Sequence, residues 1–503
     1  MTDSLHSLDR LDSLDRFDNP TIAAISTPLA PGGIGVVRIS GPQAFDVAAG
    51  VFAPVSSQSD SGSAGSDSVT SGLVTSGLVT SGLVTGYKGY TVHYGRVFER
   101  IEGERIDIDE CVATFFRAPR SYTGEDVVEL SCHGGPILLQ RLLRAALAAG
   151  AQPAGPGEFT RRAMMNGKLS LTQAEAVMDL IQAKSVQASR AALQLRDGGL
   201  YREISAVIGE LVKLAGHLAA WVDFPEEDVE ELSTHRLLAG LVEQKDRLDR
   251  LIRGYDGGQL LREGVTAVIV GRPNVGKSTL MNLLARSERS IVTDIPGTTR
   301  DVVEEPLLVD GILLRLADTA GLRDTSDPVE SVGVELARRR MEGSQIVLAV
   351  FDLSRPLEQE DVTLMDSLRD RPALAVFNKG DLPRCLDGDR LKAGFSHWVE
   401  LSARQPDGRE RLEQALTQLL RQRLGTGEID PSAPMLANER QLQQAVKGSQ
   451  ALGEAADALA AGVTLDAVSV CVDQALAALM ELTGEKVSDR VIDQVFAAFC
   501  VGK

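Results

Sequence analysis

A glycine-rich loop between an apolar run and a helical pattern constrains this chain more than any other feature. Val265 to Val270 predicts a buried strand and Thr279 to Leu284 the start of a helix, with Gly271-Arg-Pro-Asn-Val-Gly-Lys-Ser278 between them. The loop fits G-x-x-x-x-G-K-[ST], in which glycines with positive φ turn N–H groups toward a phosphate. The N-terminal dipole of the following helix favours the same anion. The sequence therefore predicts an α/β domain that binds a nucleotide.

Three further loops follow in fixed order, and together with the first they define the nucleotide. Thr293-Asp-Ile-Pro-Gly-Thr-Thr299 comes first, Asp318-Thr-Ala-Gly321 ends a second apolar run, and Asn378-Lys-Gly-Asp381 follows a third. An Asp carboxylate at 381 can accept both the N1–H and the 2-amino group of guanine, whereas adenine offers neither donor there. Backbone N–H groups of Ser402-Ala-Arg404 are placed to reach the guanine oxygen. The four loops predict GTP rather than ATP.

Within these loops the motif assigns particular roles. Lys277 would reach the β- and γ-phosphates, Ser278 would bind Mg²⁺, and Asp318 would contact the same ion through water. The Gly321 N–H would meet the γ-phosphate. The predicted GTP-binding residues are Asn274, Val275, Gly276, Lys277, Ser278, Thr279, Thr293, Asp294, Ile295, Pro296, Gly297, Thr298, Thr299, Asp318, Thr319, Ala320, Gly321, Asn378, Lys379, Gly380, Asp381, Ser402, Ala403 and Arg404.

The residue after Gly321 departs from the Ras pattern. GTPases of the Ras type have a Gln there that orients the attacking water. This chain has Leu322, whose aliphatic side chain cannot hold a water. We therefore expect a different hydrolytic arrangement.

Composition excludes several classes of protein. With 503 residues, 43% hydrophobic and 24% charged, the chain is long enough for about three globular domains. Its net charge of −18 argues against broad nonspecific binding to nucleic acid, so contacts to RNA would be local or supplied by a partner. No segment suggests a membrane span or a signal peptide. The five cysteines lack metal-site spacing and indicate reduced thiols of a cytoplasmic protein.

The hydrophobic pattern predicts a multidomain chain. Strand candidates at Thr21–Ile25, Ile34–Ile39, Thr91–Val97, Cys111–Phe116 and Asp126–Leu130, with helical stretches at 42–52 and 135–149, indicate an α+β domain. Helical patterns flank the P-loop domain on both sides, which suggests an all-α domain into which a Ras-like α/β domain is inserted. The predicted boundaries are an extension over 1–20, the α+β domain over 21–169, a discontinuous helical domain over 170–263 and 426–503, and the P-loop domain over 264–425.

One internal segment stands apart. Residues 56–86 are rich in Ser and Gly and contain three tandem copies of Ser-Gly-Leu-Val-Thr over 71–85. Such a short period repeated three times cannot form a solenoid. The segment is interpreted as a low-complexity loop insertion without a function of its own.

Outside the P-loop domain, the residues resemble one family, MnmE (TrmE), whose members are GTPases that modify the wobble uridine of certain tRNAs. The resemblance covers nearly all of Thr21 to Lys503. It rests on Thr21-Ile-Ala-Ala-Ile-Ser-Thr-Pro28, Gly32-Gly-Ile-Gly-Val-Val-Arg-Ile-Ser-Gly41, Ser121-Tyr-Thr-Gly-Glu-Asp126, His133-Gly-Gly135, Pro156-Gly-Glu-Phe-Thr160, Asn166-Gly-Lys168, Asp223-Phe-Pro225 and Phe499-Cys-Val-Gly-Lys503.

The resemblance implies a folate site in a dimerising N-terminal domain. Arg38, Glu129, Lys168 and Lys503 would contact 5-formyl- or methylene-tetrahydrofolate, since cations pair the carboxylates of the folate tail and Glu129 can accept from the pterin. By the same resemblance Cys500 is a candidate catalytic thiol. On chemistry alone, Arg38 and Lys168 could be surface charges, Glu129 an ordinary strand residue, and Cys500 an inert terminal thiol.

The resemblance also implies a replacement for the missing Gln. In family members the G domains pair face to face, and K⁺ would be bound by Asn274, Thr293, Ile295 and Thr298 beside the β/γ bridge, where it would offset charge developing in the transition state. Thr299 would complete the Mg²⁺ shell beside Ser278. Glu330 would position the attacking water; on chemistry alone it is one more solvated carboxylate.

The family's activity requires partners. The resemblance implies a homodimer that works with an FAD-dependent partner of the MnmG type to add an aminomethyl or carboxymethylaminomethyl group to C5 of the tRNA wobble uridine. The alternative is a regulatory or ribosome-assembly GTPase without chemistry on RNA. That alternative predicts a basic RNA-binding appendage or a second G domain, and the sequence shows neither.

Overall fold

The computed structural model describes residues 19–55, 84–223, 234–285, 305–309, 311–316, 341, 343–385, 392, 394–423, 430 and 432–503. The chain divides into two compact units, one made of 1–174 and 487–503 and the other of 175–486. Nearly all of the predicted extension and of the repeat insertion lies outside the described residues.

The first unit contains a seven-stranded sheet in the order β3-β4-β5-β6-β2-β1-β7. Every neighbouring pair in it is antiparallel except β1 and β7. Its elements are β1 (Ile22–Ile25), β2 (Gly32–Ser40), α1 (Ala44–Val51), β3 (Phe52–Pro54), β4 (Thr91–Ile101), β5 (Glu104–Phe116), β6 (Val127–Gly134), α2 (Pro136–Ala148), β7 (Gln152–Pro153), α3 (Glu158–Met165) and, from the end of the chain, α14 (Asp489–Ala497).

Strand periodicity explains how this sheet is covered. Alternate residues such as Val37, Ile39, Ala113 and Leu130 are fully buried against α1 and α2. The intervening residues, Arg38 and Glu129 among them, therefore point to the opposite face. That second face carries the charged side chains of the candidate site.

The second unit begins with helices that share one apolar core. They are α4 (Leu171–Gln182, which starts in the first unit), α5 (Val186–Arg196), α6 (Gly199–Asp223), α7 (Thr234–Arg253), α8 (Tyr255–Glu263), α12 (Glu439–Ala460) and α13 (Leu465–Thr483). Leucines and valines from both sides of the P-loop domain pack together, for example Leu248 with Leu452 and Leu479. The two predicted helical blocks thus form one core.

The P-loop domain is a six-stranded sheet in the order β13-β12-β11-β8-β10-β9, with β9 antiparallel and the other pairs parallel. Its elements are β8 (Val265–Val270), α9 (Lys277–Ala285), β9 (Glu305–Val309), β10 (Ile312–Leu316), β11 (Ile346–Asp352), α10 (Gln359–Ser367), β12 (Ala373–Asn378), β13 (His397–Glu400) and α11 (Gly408–Arg423). The predicted fold class, an α+β domain, an all-α domain and an inserted α/β P-loop domain, is confirmed.

Among the described residues, Val186–Trp221 is the one helical stretch long and apolar enough to cross a membrane by length and composition alone. It consists of two helices, α5 and α6, which separate at Gly198, where φ is 84°. Ile204, Val207 and Leu211 are fully buried in the helical core.

The carboxyl end packs within the first unit. Residues 487–503, predicted as part of the helical domain, have their contacts there, while the domain boundaries stay a prediction. There Phe496 and Phe499 pack around Gly157, where φ is 63° and an added Cβ would lie 2.8 Å from Cδ1 of Phe496 and from Cβ of Phe499. The chain therefore ends beside the sheet that carries Arg38.

Candidate functional site

The loop after β8 has the backbone shape that phosphate binding requires. Gly271, Asn274 and Gly276 have φ of 146°, 64° and 104°. A side chain at Gly271 would place its Cβ 2.4 Å from the carbonyl oxygen of Val350, so only glycine fits. The loop ends at the N-terminus of α9, where N–H groups and the helix dipole favour an anion.

Lys277, Ser278 and Thr279 form the first turn of α9. The Lys277 Nζ donates to the carbonyl oxygens of Gly271 at 2.8 Å and Arg272 at 2.7 Å. Burial lowers the pKa of this ammonium. The cation is thus held against the loop, while Ser278 and Thr279 are exposed at its rim. This arrangement fits the roles predicted for a phosphate-binding Lys and a metal-binding Ser.

Asn378 joins the phosphate loop to the loops at the guanine end. Its Nδ2 donates to the Val275 carbonyl oxygen at 2.9 Å, and its Oδ1 accepts from the Ala403 N–H at 3.0 Å. A Cβ at Gly276 would lie 2.2 Å from the same Nδ2. Asn378 is buried and acts as a bridge that fixes three loops relative to one another.

Lys379 makes a second bridge. Its Nζ donates to the Asn274 carbonyl oxygen at 2.8 Å and to Asp352 Oδ2 at 2.6 Å. Burial opposes ionisation of Asp352, but hydrogen bonds from Lys379 and Ser354 outweigh it and hold the pKa of that carboxyl below its usual value. Sequence analysis missed Asp352, although a carboxylate at the carboxyl end of a buried strand could have indicated it.

Asp381 is placed to recognise a base. The hydrogen bond from the Ser402 hydroxyl is the main cause that lowers the pKa of Asp381, so the group is a carboxylate at neutral pH. The Gly380 N–H is bonded to the Leu401 carbonyl oxygen at 3.1 Å. The Arg404 N–H donates to Ser402 Oγ at 3.3 Å. The Ala403 N–H is likewise bonded, to Asn378. A guanine oxygen would therefore have to share the N–H groups of Ala403 and Arg404 with their acceptors in the protein.

Part of the predicted nucleotide site lies outside the described residues. This applies to the metal and water-positioning residues predicted beyond the phosphate loop, and to Leu322. The residues concerned are Thr293, Asp294, Ile295, Pro296, Gly297, Thr298, Thr299, Asp318, Thr319, Ala320, Gly321 and Glu330. Their predicted roles stay predictions.

Arg272 anchors the phosphate loop from behind, a role the sequence did not indicate. Its guanidinium pairs with Asp361 at 3.1 Å and Glu358 at 2.5 Å, and lies 3.5 Å from Glu360. All three carboxylates belong to the start of α10 or the residue before it. The loop is therefore tied to α10 as well as to Asn378 and Lys379.

A second cluster lies in the first unit, where Arg38 of β2 and Glu129 of β6 are directly opposite each other. The Arg38 Nε and Nη2 are each 2.8 Å from Glu129 Oε1. The guanidinium also lies 5.5 Å from the ring centroids of Tyr122 and Phe159. A partly buried ion pair between two aromatic rings can bind a flat ligand that carries both donors and carboxylates.

The chain terminus reaches this cluster through backbone contacts. The Gly157 N–H donates to the Cys500 carbonyl oxygen and the Phe159 N–H to the Lys503 carbonyl oxygen, both at 3.2 Å. Gly502 has φ of 96°, which turns the last residue inward. Cys500 is exposed and its thiol is free.

The pKa of Lys503 is affected by both members of the Arg38–Glu129 ion pair, which indicates that its ammonium lies near them. Burial, followed by the nearby Arg38 cation, lowers the pKa of Lys503, while Glu129 and Cys500 act in the opposite direction. The structure therefore brings Arg38, Glu129, Cys500 and Lys503 into one cluster, which we call the tail site.

Lys168 takes a different position. Its Nζ donates to the Pro119 carbonyl oxygen at 3.1 Å, and its side chain is exposed. Among the residues that the structure describes, no hydrogen bond or ion pair joins it to Arg38, Glu129 or Lys503. It lies against the loop that carries Tyr122, at the edge of the tail site.

A buried arginine network supports the walls of the tail site, and sequence analysis did not identify it. Arg162, only 3% exposed, bonds Glu158 at 2.8 Å and Glu125 at 3.2 Å. Glu158 also accepts from the Gly155 N–H at 2.7 Å, and Glu125 accepts from the Ser40 hydroxyl at 2.8 Å. The network ties the loop before β6 to the turn that binds the chain terminus.

Family models match both halves of the chain. The model described as "MnmE helical domain" matches residues 171–500, and the model described as "GTP-binding protein TrmE N-terminus" matches residues 21–168. Between them they include the phosphate loop and, of the tail site, Arg38, Glu129 and Cys500.

Curated relatives match the chain over nearly its whole length. The tRNA modification GTPase MnmE of Heliobacterium modesticaldum is 40% identical over 488 residues, covering 96% of this chain and 99% of the relative. Those of Geobacillus kaustophilus (39% identity, 97% and 100% coverage) and Carboxydothermus hydrogenoformans (38%, 96% and 99%) are similar. Among solved structures, Aquifex aeolicus Era bound to GDP·AlF4⁻ is 26% identical over 37% of this chain and 66% of its own, with a TM-score of 0.24.

Proposed function

Because the chain belongs to the MnmE family of tRNA modification GTPases, we propose that it couples potassium-dependent GTP hydrolysis to a one-carbon modification of the tRNA wobble uridine. It is a GTP hydrolase that acts in tRNA modification. The observation that carries the proposed coupling is the tail site, where a free thiol, two cations and a carboxylate gather in a chain that also holds a complete phosphate loop.

The cation site is proposed at the tip of the phosphate loop. The Asn274 carbonyl is bound by Lys379, and its side chain is exposed, so the carboxamide oxygen is available to a cation. With oxygens from Thr293, Ile295 and Thr298 it would hold K⁺, while Ser278 and Thr299 would hold Mg²⁺. Bound there, K⁺ would offset negative charge as the phosphate bond breaks. Glu330 would position the water that Leu322 cannot.

Homodimerisation through the N-terminal unit is supported by an apolar sheet face. Val92 and Tyr94 of β4 and Val112 of β5 are 61%, 52% and 41% exposed, and Tyr94 is directly opposite Val112. Exposed apolar side chains grouped on one face are typical of an interface. We propose that a second copy of the chain covers them and that the G domains associate when GTP is bound.

The tail site is proposed to bind a tetrahydrofolate. Arg38 and Lys503 offer cations for its carboxylates, Glu129 an acceptor for the pterin amino edge, and the rings of Tyr122 and Phe159 flank the guanidinium. When bound, the folate would supply the one carbon. Cys500 would act as the thiol for the chemistry, and Lys168 would meet the tail of the folate at the edge.

The remaining parts of the proposal concern partners. An FAD-dependent MnmG-type protein would join the homodimer in a hetero-oligomer, and the product would be an aminomethyl or carboxymethylaminomethyl group at C5 of the uridine. The five cysteines are free thiols in the structure, which supports a cytoplasmic location.

GTP hydrolysis is expected to be on the order of 100-fold faster in KCl than in NaCl at equal ionic strength, because the proposed oxygen ligands would hold K⁺ but not the smaller Na⁺, and losing one electrostatic contact at the transition state costs about 10²- to 10³-fold in rate. Asn274→Gly removes the carboxamide but keeps the positive φ, and should reduce this difference. Phosphate release measured in both salts checks the prediction, with Gln414→Ala as an exposed-amide control. Equal rates of the unmodified protein in the two salts would refute the cation site.

A further inference from the structure

An exposed face of the first unit combines basic and aromatic side chains. Lys88, Arg120 and Lys168 are exposed, and the rings of Tyr90 and Tyr122 are 64% and 37% exposed. We call these five residues the Lys88–Lys168 face. Apart from Lys168, the sequence assigned no function to any of them.

The fold brings these residues together from three separate segments. The Tyr90 N–H donates to the Phe115 carbonyl oxygen at 2.7 Å, and its ring lies 5.7 Å from that of Phe116. Gly89 packs so closely that a Cβ there would lie 2.9 Å from the Arg117 nitrogen. The segment before β4 is therefore fixed against the loop that follows β5.

The third segment is the one that carries Lys168. It contacts the loop after β5, because the Lys168 Nζ is 3.1 Å from the carbonyl oxygen of Pro119, the residue before Arg120. On the other side, the Tyr122 hydroxyl is 2.8 Å from Thr160 Oγ1. The same loop thus carries Arg120 and Tyr122 and contacts Lys168.

The face is positive although the chain is acidic. Within the described part of the chain, Lys88, Arg120 and Lys168 have no ion-pair partner. The nearby carboxylates are already used, since Asp126 pairs with Arg117 at 2.8 Å and Glu125 with Arg162 at 3.2 Å. In a chain of net charge −18, three uncompensated cations on one face are a local site for an anion.

We propose that the Lys88–Lys168 face binds single-stranded RNA of the tRNA substrate. Lysine and arginine would contact phosphates, and the two tyrosine rings would stack with unpaired bases, which is how RNA loops are recognised. The Tyr122 ring lies 5.5 Å from the Arg38 guanidinium, so a nucleotide bound here would be next to the tail site. The proposal deepens the proposed function, because it locates the substrate beside the one-carbon chemistry.

Binding of a fluorescein-labelled anticodon stem-loop RNA to the full chain, followed by anisotropy, tests the proposal. The triple variant Lys88→Gln, Arg120→Gln, Lys168→Gln should weaken binding by about 10-fold or more. The slope of log affinity against log salt should become shallower by roughly 0.7 for each cation removed. Tyr90→Leu should weaken binding by about 5- to 100-fold with the salt slope unchanged, since it removes stacking and not charge.

A matched control removes three exposed cations elsewhere, Lys184→Gln, Arg190→Gln and Lys447→Gln, and should leave affinity and slope unaltered. Equal losses in both triple variants, or none in either, would overturn the proposal. Light scattering adds a further outcome. If the triple variant changes the oligomeric mass but not the RNA affinity, the face contacts a second copy and the proposal is wrong.

Folate binding separates this inference from the proposed function. The double variant Lys88→Gln, Arg120→Gln should bind 5-formyl-tetrahydrofolate as the unmodified protein does, because neither residue belongs to the tail site. Failure of the unmodified protein to bind the folate would contradict the proposed folate role while leaving the RNA result intact. RNA affinity unaffected in the double and triple variants, with folate bound normally by the double variant, would contradict only the RNA surface.

Discussion

Replacement of Asp381 by asparagine is expected to weaken GTP binding on the order of 10²- to 10⁴-fold and to create affinity for xanthosine triphosphate. The carboxylate accepts two hydrogen bonds from guanine, and an amide would place a donor against a donor. Xanthine carries a carbonyl where guanine has its amino group, so it suits the asparagine. Since the Ser402 hydroxyl lowers the pKa of Asp381, the group stays ionised at neutral pH and GTP affinity should fall only as the pH drops through that lowered value.

Titration with fluorescent GTP and xanthosine triphosphate analogues measures both changes. Asp366→Asn, an exposed carboxylate of α10 in the same domain, is the control and should change neither affinity. Loss of GTP binding without a gain for the xanthine nucleotide, together with a lower melting temperature, would show a structural role for Asp381 and contradict base recognition.

Replacement of Cys500 by serine is expected to lower tRNA modification by about 100-fold or more and to leave GTP hydrolysis within about 2-fold. A serine hydroxyl matches the size of the thiol but is a far weaker nucleophile at neutral pH. The residue is exposed and is held by a backbone hydrogen bond through its carbonyl, so the change should not disturb the fold. Modification is measured in an assay reconstituted with the proposed FAD-dependent partner.

The matched control is Cys385→Ser, because Cys385 is also exposed but belongs to the P-loop domain. It should leave both activities unaltered. Normal tRNA modification by the Cys500 variant would contradict the assignment of Cys500 as a catalytic thiol. A loss that Cys385→Ser shares would indicate that the assay responds to thiols in general.

The sequence predicted the elements that carry a strong side-chain pattern. The alternation in β2 and β6 and the apolar runs before the phosphate loop and before Asn378 were enough for the fold class. The extents of β4 and β5 were less predictable. In the structure β4 extends to Ile101, past the end of the predicted strand Thr91–Val97. Likewise β5 begins at Glu104, before the start of the predicted strand Cys111–Phe116. Both faces of that hairpin tip are largely exposed, so it has no hydrophobic alternation to detect.

The tail site could be predicted only by resemblance. Its terminus is held by the N–H groups of Gly157 and Phe159, and backbone contacts leave no side-chain pattern in a sequence. The Arg162 network was missed for a related reason. A single buried arginine looks like any surface charge until its carboxylate partners are known. The folate role of Lys168 also rests on a motif alone and stays a prediction, since in the structure its Nζ contacts the Pro119 carbonyl oxygen at the edge of the tail site.

The central claim is that this GTPase serves wobble-uridine modification. Mass spectrometry of tRNA nucleosides tests it most directly, in a strain that lacks the gene and in the same strain carrying either the native gene or the Cys500→Ser variant. Aminomethyl-type groups at C5 of uridine are expected to disappear without the gene, to return with the native gene and to stay absent with the variant. An unchanged nucleoside profile in the strain that lacks the gene would contradict it.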